Sequence, residues 1–163
     1  MAALEPGTRA LEISQPLLGG GAFQLHDALQ HGPVLLAFFK VSCPVCQFTL
    51  PYLERIHQAN PKARIIGVSQ DDAKSTAAFA REYGVSFPIA LDDPRTYPAS
   101  NAYGLTNVPT LFLVEPGGKI KASSVGWSRG DVQRFSQALA QAEGAPGFAV
   151  FQKSENVPDF TAG

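Results

Sequence analysis

The chain has 163 residues, enough for one domain with a sizeable core. Its 45% hydrophobic and 17% charged content is ordinary for a soluble globular protein. The formal net charge of −1 argues against nucleic acid or a membrane surface as the main partner, and no apolar run approaches the ~20 residues of a membrane-spanning helix.

Residues Met1 to Ala10 carry Glu5, Pro6 and Arg9, with no basic region leading into an apolar one, so they do not read as a signal peptide. The expectation is a cytoplasmic protein, or a periplasmic one if a leader has been trimmed away. Ala10-Leu11-Glu12-Ile13 and Ala22-Phe23-Gln24-Leu25 alternate apolar and polar residues around Gly19-Gly20-Gly21. They predict two short strands in a hairpin. Gly32-Pro33 breaks the chain. Val34 to Phe39 is apolar without alternation, as in a strand buried on both faces.

From Pro44 to Asn60 the residues Val45, Phe48, Leu53 and Ile56 recur at roughly helical spacing. Pro44 suits a first helical turn, and Pro51 should kink the helix. Arg64 to Val68 predicts a strand. Asp71 or Asp72 can cap a helix running to Tyr83 and stopped by Gly84. Pro88 to Leu91 predicts a short strand, and Ala99 to Tyr103 a short helical piece. Thr110 to Val114 and Lys119 to Val125 predict a hairpin around Pro116-Gly117-Gly118. Ser128 and Asp131 resemble a capping box before a helical stripe of Val132, Phe135 and Leu139. Residues 145–163 show no period and read as an extended arm on the surface. Strands alternating with helices imply a mixed, largely parallel sheet with helices on both faces.

The chemistry concentrates at Cys43-Pro44-Val45-Cys46, which holds the only two cysteines. A bridge across two residues closes too small a loop to stabilise much, so a structural disulfide is a weak explanation. Cys43 falls where a strand hands over to a helix. Unpaired N–H groups there favour a thiolate, and Cys46 lies one turn on, close enough to resolve a mixed disulfide. The uncharged Pro44-Val45 leaves the potential open within the roughly −270 to −120 mV that related dithiols span. Half of a zinc site would need two more ligands, and His26, His31 and His57 are not grouped in sequence. Neither a metal nor a cofactor is expected. On the residues alone Pro109 is a trans turn residue before a strand.

Taken together, the chain resembles the thioredoxin-like superfamily. The nearest group is the periplasmic or membrane-tethered thiol-disulfide oxidoreductases, within the broader alkyl hydroperoxide reductase/thiol-specific antioxidant (redoxin) group. The resemblance rests on Val34–Phe39, Cys43-Pro44-Val45-Cys46, Leu50-Pro51, Tyr83-Gly84-Val85, Phe87-Pro88, Tyr103-Gly104-Leu105, Val108-Pro109-Thr110-Leu111-Phe112-Leu113 and Pro116-Gly117-Gly118-Lys119. It implies an α/β thioredoxin-like fold: a central mixed β-sheet flanked by helices on both faces, an N-terminal β-hairpin, and a helix-strand insertion over residues 71–92. Residues 1–163 then form a single domain, with a core over about 22–142 and an arm at 145–163.

The resemblance also implies a cis Val108–Pro109 bond, with the Val108 backbone receiving a protein dithiol or disulfide partner and Pro109 shielding the thiols from metal. Cys43 and Cys46 would be catalytic, supported by Pro44, Val45 and Pro109, in an oxidoreductase serving redox homeostasis. Three departures stand out. Ser42 replaces the Trp usual before the first cysteine. Ala37 stands where plain thioredoxins carry a buried acid, so the proton for Cys46 needs another route, and Asp71 is the nearest candidate. The relatives are usually exported, yet no leader is recognised here. A peroxiredoxin-type thiol peroxidase is the alternative, although Lys40 stands where that chemistry sets a Thr. A non-catalytic binding module on the same fold is a third reading.

Overall fold

The computed structural model describes residues 3–163. The strands are β1 (Ser14–Pro16), β2 (Ala22–Gln24), β3 (Val34–Phe39), β4 (Arg64–Ser69), β5 (Ile89–Leu91), β6 (Thr110–Val114), β7 (Ile120–Val125), β8 (Trp127–Ser128) and β9 (Phe160–Thr161). The helices are α1 (Leu25–Leu29), α2 (Pro44–Ala59), α3 (Ala73–Tyr83), α4 (Pro98–Ala102) and α5 (Arg129–Ala142).

The central sheet has the order β5-β4-β3-β6-β7. Strands β3, β4 and β5 run parallel, and β6 and β7 add antiparallel pairs on the other side. All six residues of β3 are buried, which is why its sequence shows no alternation. Leu35, Ala37 and Phe39 face one apolar cluster; Val34, Leu36 and Phe38 face a second. The first cluster lies under α2, α3 and α5, through residues such as Leu50, Leu53, Phe79 and Phe135. The second is closed by α1, α4 and the N-terminal segment, through Leu25, Leu29, Ala99, Tyr103 and Ile13. Each large apolar side chain so buried contributes roughly 1.5–3 kcal/mol.

The structure corrects the sequence reading in three places. The hairpin forms, but its first strand is Ser14–Pro16, pairing Ser14 with Gln24, rather than 10–13. The 10–13 segment is fixed differently: the Ala10 N–H donates to Gly118 O, and Ile13 O accepts from the Leu25 N–H. Leu25 opens the five-residue helix α1 instead of ending a strand. Of the two capping candidates for helix α3, the structure selects Asp72, as the sequence allowed: its side chain accepts the Ser75 N–H at 2.7 Å, leaving the Asp71 carboxylate for another use.

The third correction concerns the arm. Residues 145–163 do not simply lie on the surface. Val150 and Val157 are buried, and Phe148 and Phe151 pack against the first cluster. Strand β9 pairs antiparallel with β8, Trp127 opposite Thr161 and Ser128 opposite Phe160. Trp127, with no exposed surface, anchors this region. Its ring packs on Phe48, Tyr52 and Phe151 at 4.9, 5.1 and 5.8 Å, and its Nε1–H donates to Pro158 O at 2.7 Å.

Candidate active site

The sheet register builds the site. In the antiparallel β3–β6 pair Phe38 lies opposite Thr110. The loop leaving β3 therefore stands beside the residues entering β6, and Cys43 meets Val108-Pro109 across about sixty residues of sequence. The Val108–Pro109 peptide bond is cis. Cys43 Sγ lies 3.5 Å from Val108 O, with the thiol as donor.

Cys43 is the N-cap of α2, and Pro44 occupies the first turn. The Cys46 N–H donates to Cys43 Sγ at 3.1 Å, so the Cys43 sulfur uses one of the unpaired helix-end donors. Helix α2 continues as one element through Pro51 to Ala59. Both thiols are free; Cys43 is half-buried and Cys46 fully buried. Burial, reinforced by the hydrogen bond and charge of Cys43 and by the charge of Asp71, pushes the Cys46 thiol far above its ordinary value. Cys46 is thus held as a thiol until something takes its proton.

The parallel β3–β4 pair places Asp71. Phe39 lies opposite Ser69, so both strands end at the same level. Asp71 Oδ2 accepts the Val41 N–H at 2.8 Å, and Gln47 Nε2 donates to Val41 O at 2.9 Å. The loop before Cys43 is thereby pinned from β4 and from α2. Ala37, where a buried acid would otherwise stand, is fully buried among apolar side chains.

Pro44, Val45 and Phe48 line one side of an apolar cleft of about 240 Å³, and Pro158 and Thr161 of the arm line the other. These arm residues and Trp127 carry no motif and are absent from the sequence-based site. Only their non-local packing reveals them. The His26 main-chain N–H donates to Glu12, and the His57 ring, whose Nδ1 is buried without a hydrogen-bond partner among the described residues, lies 6.2 Å from Phe87. Among the described residues, no group of three or more His, Cys, Asp or Glu is arranged to hold a metal ion.

Comparison with known proteins agrees with this architecture. The profile of the AhpC/TSA family matches residues 6–123. The thiol-disulfide oxidoreductase ResA of Geobacillus thermodenitrificans is 28% identical over 141 residues, covering 84% of this chain and 79% of that protein. Among solved structures, a putative thiol:disulfide interchange protein DsbE from Chlorobium tepidum superposes with a TM-score of 0.74 at 23% identity, covering 86% of this chain and 99% of that one. The peroxidoxin BcpB of Mycobacterium tuberculosis superposes at 0.70 with 18% identity, covering 85% and 97%. At those identities the two structures establish the shared thioredoxin-like fold.

Proposed function

The chain belongs to the AhpC/TSA family, and on that premise we propose that it is a thiol-disulfide oxidoreductase exchanging disulfides with protein substrates through Cys43 and Cys46. The observation that carries this reading is the placement of Cys43 Sγ against both the Cys46 N–H and Val108 O, at a helix N-terminus beside a cis-proline turn.

Exchange runs in two steps. The Cys43 thiolate attacks one sulfur of a substrate disulfide, forming a mixed disulfide and releasing the other sulfur as a thiolate. The Cys46 N–H aimed at Cys43 Sγ stabilises the thiolate before attack. Cys46 then loses its proton, attacks Cys43 Sγ and expels the second substrate sulfur. The products are a Cys43–Cys46 disulfide and a substrate dithiol: two electrons have passed to the substrate, one of its protons originates from Cys46, and the other comes from the solvent into which Cys43 ionised. Run backwards, the same steps oxidise a substrate dithiol.

Each supporting residue has a part. Val108 offers its backbone to an extended substrate segment beside Cys43, in the manner of strand addition. Pro44 and Val45 form the apolar shoulder of the nucleophile. Asp71, freed from helix capping, is the carboxylate that accepts the Cys46 proton during resolution. Its charge already acts on that thiol.

Turnover of insulin disulfides tests the reading. The wild type should reduce insulin with a dithiol donor, and Cys43→Ser should not. Equal activities would mean a non-catalytic binding module. Rapid thiol-dependent consumption of hydrogen peroxide would point to the peroxidase reading. The equilibrium potential of the pair against a glutathione buffer then gives the physiological direction.

A further inference from the structure

The arm does more than pack on the core. Beyond β8–β9 residues 162–163 turn onto the very carbonyl that faces Cys43. Gly163 sits so close to Val108 that a Cβ there would overlap Val108 O and crowd Val108 C at 2.9 Å and Pro109 Cδ at 3.3 Å. Asn107 Nδ2 donates to Gly163 O at 3.3 Å. Gly126 makes room for this path. Its φ is +77°, and a Cβ would lie 2.6 Å from Thr161 O and 3.1 Å from Gly163 N. Two and five residues earlier, Thr161 and Pro158 wall the apolar cleft against Pro44, Val45 and Phe48.

The arm is held unevenly. Upstream it is firmly fixed: Val157 is buried, Pro158 O accepts from Trp127 Nε1–H, and Asp159 O accepts from the Arg129 N–H at 2.9 Å. Past Asp159 the side chains are exposed, Phe160 at 63%, and the segment rests on a two-residue strand pair and the Asn107 contact. So short a pair is marginal by itself, and low-contact segments of this kind open at little cost.

We infer that residues 159–163 form an intramolecular strap over the docking edge, occupying the place a protein substrate must take at Val108, and that this strap selects among substrates by size. The inference rests on the oxidoreductase reading above. A low-molecular-weight disulfide reaches half-buried Cys43 without needing Val108. An extended segment of a protein needs the Val108 backbone and docks only when the strap lifts, with Asp159 as the hinge. If the strap is seated about nine-tenths of the time, apparent docking of a protein is weakened about tenfold.

Two variants remove the strap in different ways. Gly163→Val keeps the whole chain but forces a side chain into Val108 O, while deletion of 159–163 removes the strap and retains the Pro158 anchor. For each, and for the wild type, kcat/KM is measured with insulin and with a small aromatic disulfide. The expected result is a rise of about tenfold on insulin in both variants, through KM, with the small disulfide unchanged. Unchanged or lower insulin turnover, with the small disulfide still reduced, overturns the strap and makes the arm part of the docking surface. If the deletion does not fold, Gly163→Val alone decides between those outcomes. If the wild type reduces neither substrate, the oxidoreductase reading fails and the strap falls with it.

Discussion

The two faces of the central sheet each bury a protic side chain, and only one of the two is placed to react. Under α2, Cys46 is fully buried; on the opposite face, Tyr103 is fully buried. Burial pushes both groups far above their ordinary values, from 9.0 for the thiol and 10.0 for the phenol. Tyr103 has a fixed partner: its hydroxyl donates to Leu11 O at 2.5 Å, and Phe38 and Phe112 enclose its ring at 5.3 and 5.2 Å. Cys46 instead abuts a second sulfur that reaches the surface. Burial acts on both in the same direction, and what separates them is access and a reactive neighbour. Burial tells which groups are unusual; geometry tells which can do chemistry.

The largest test of that contrast replaces the reactive groups themselves. Cys43→Ser should abolish exchange, whereas Tyr103→Phe should leave exchange intact and lower unfolding stability by about 1–3 kcal/mol, because Leu11 O loses its donor. Insulin turnover and urea unfolding of both variants would check this. Loss of turnover in Tyr103→Phe would break the contrast.

Large-to-small changes come next. Phe38→Ala and Trp127→Ala should each cost about 3–5 kcal/mol in urea unfolding. Trp127→Ala should also loosen the arm, since the Pro158 anchor is lost, and so change the ratio of protein to small-disulfide turnover. Phe38→Ala, on the other face, should leave that ratio alone.

Alkaline titration sharpens the comparison further. A group whose folded pKa is raised favours the native state below its unfolded value and gives that advantage up as pH climbs toward the folded value. Reduced protein should therefore lose stability above pH 9.0 through Cys46, and again above 10.0 through Tyr103. Cys46→Ala should remove the first loss and Tyr103→Phe the second. Denaturant midpoints across that range, measured under reducing conditions, give the check.

Asp71→Asn separates two effects of one carboxylate. Its negative charge helps keep Cys46 protonated, so the variant should move the Cys46 titration to lower pH. Electrostatics alone would then speed resolution of a mixed disulfide at neutral pH. If Asp71 accepts the proton, resolution slows instead, and slowing is the expected outcome in a stopped-flow trace. The smallest effect is reserved for Arg55→Ala. It removes an ion pair to Glu155 at 2.8 Å, the donor to Val150 O at 3.1 Å and a guanidinium 4.6 Å from the Tyr52 ring, and should cost about 1–2 kcal/mol.

Much of this architecture is legible in the sequence because it is locally encoded. The six apolar residues of β3, the Cys43 cap with Pro44 behind it, the Ser128 cap and the Gly84 stop each state their role within a few residues. The meeting of Cys43 with Val108 is not local. It was read from resemblance, and its physical cause is the β3–β6 register. Helix α1 is not legible in the sequence because five residues are too few to show a period. The alternation at 10–13 misled because extended backbone can pair one residue at a time, as Arg9 does with Lys119, without forming a strand. The packing of the arm is hidden from the sequence for a related reason. Val157 is an isolated apolar residue and Val150 sits in the short run Phe148-Ala149-Val150-Phe151, too short to show a period; both are buried against the cluster that holds Trp127, which no pattern within 145–163 encodes. Adjacent Asp71 and Asp72 are equal capping candidates in the sequence, and only the fold assigns the cap to Asp72.

The central claim is that Cys43 attacks and Cys46 resolves. It is tested most directly by mixing reduced Cys46→Ser protein with a protein disulfide and analysing the products by mass spectrometry without reductant. A covalent complex joined through Cys43, stable until a dithiol is added and absent from Cys43→Ser, is the predicted result. No complex from Cys46→Ser, while the wild type still turns the substrate over, would contradict it.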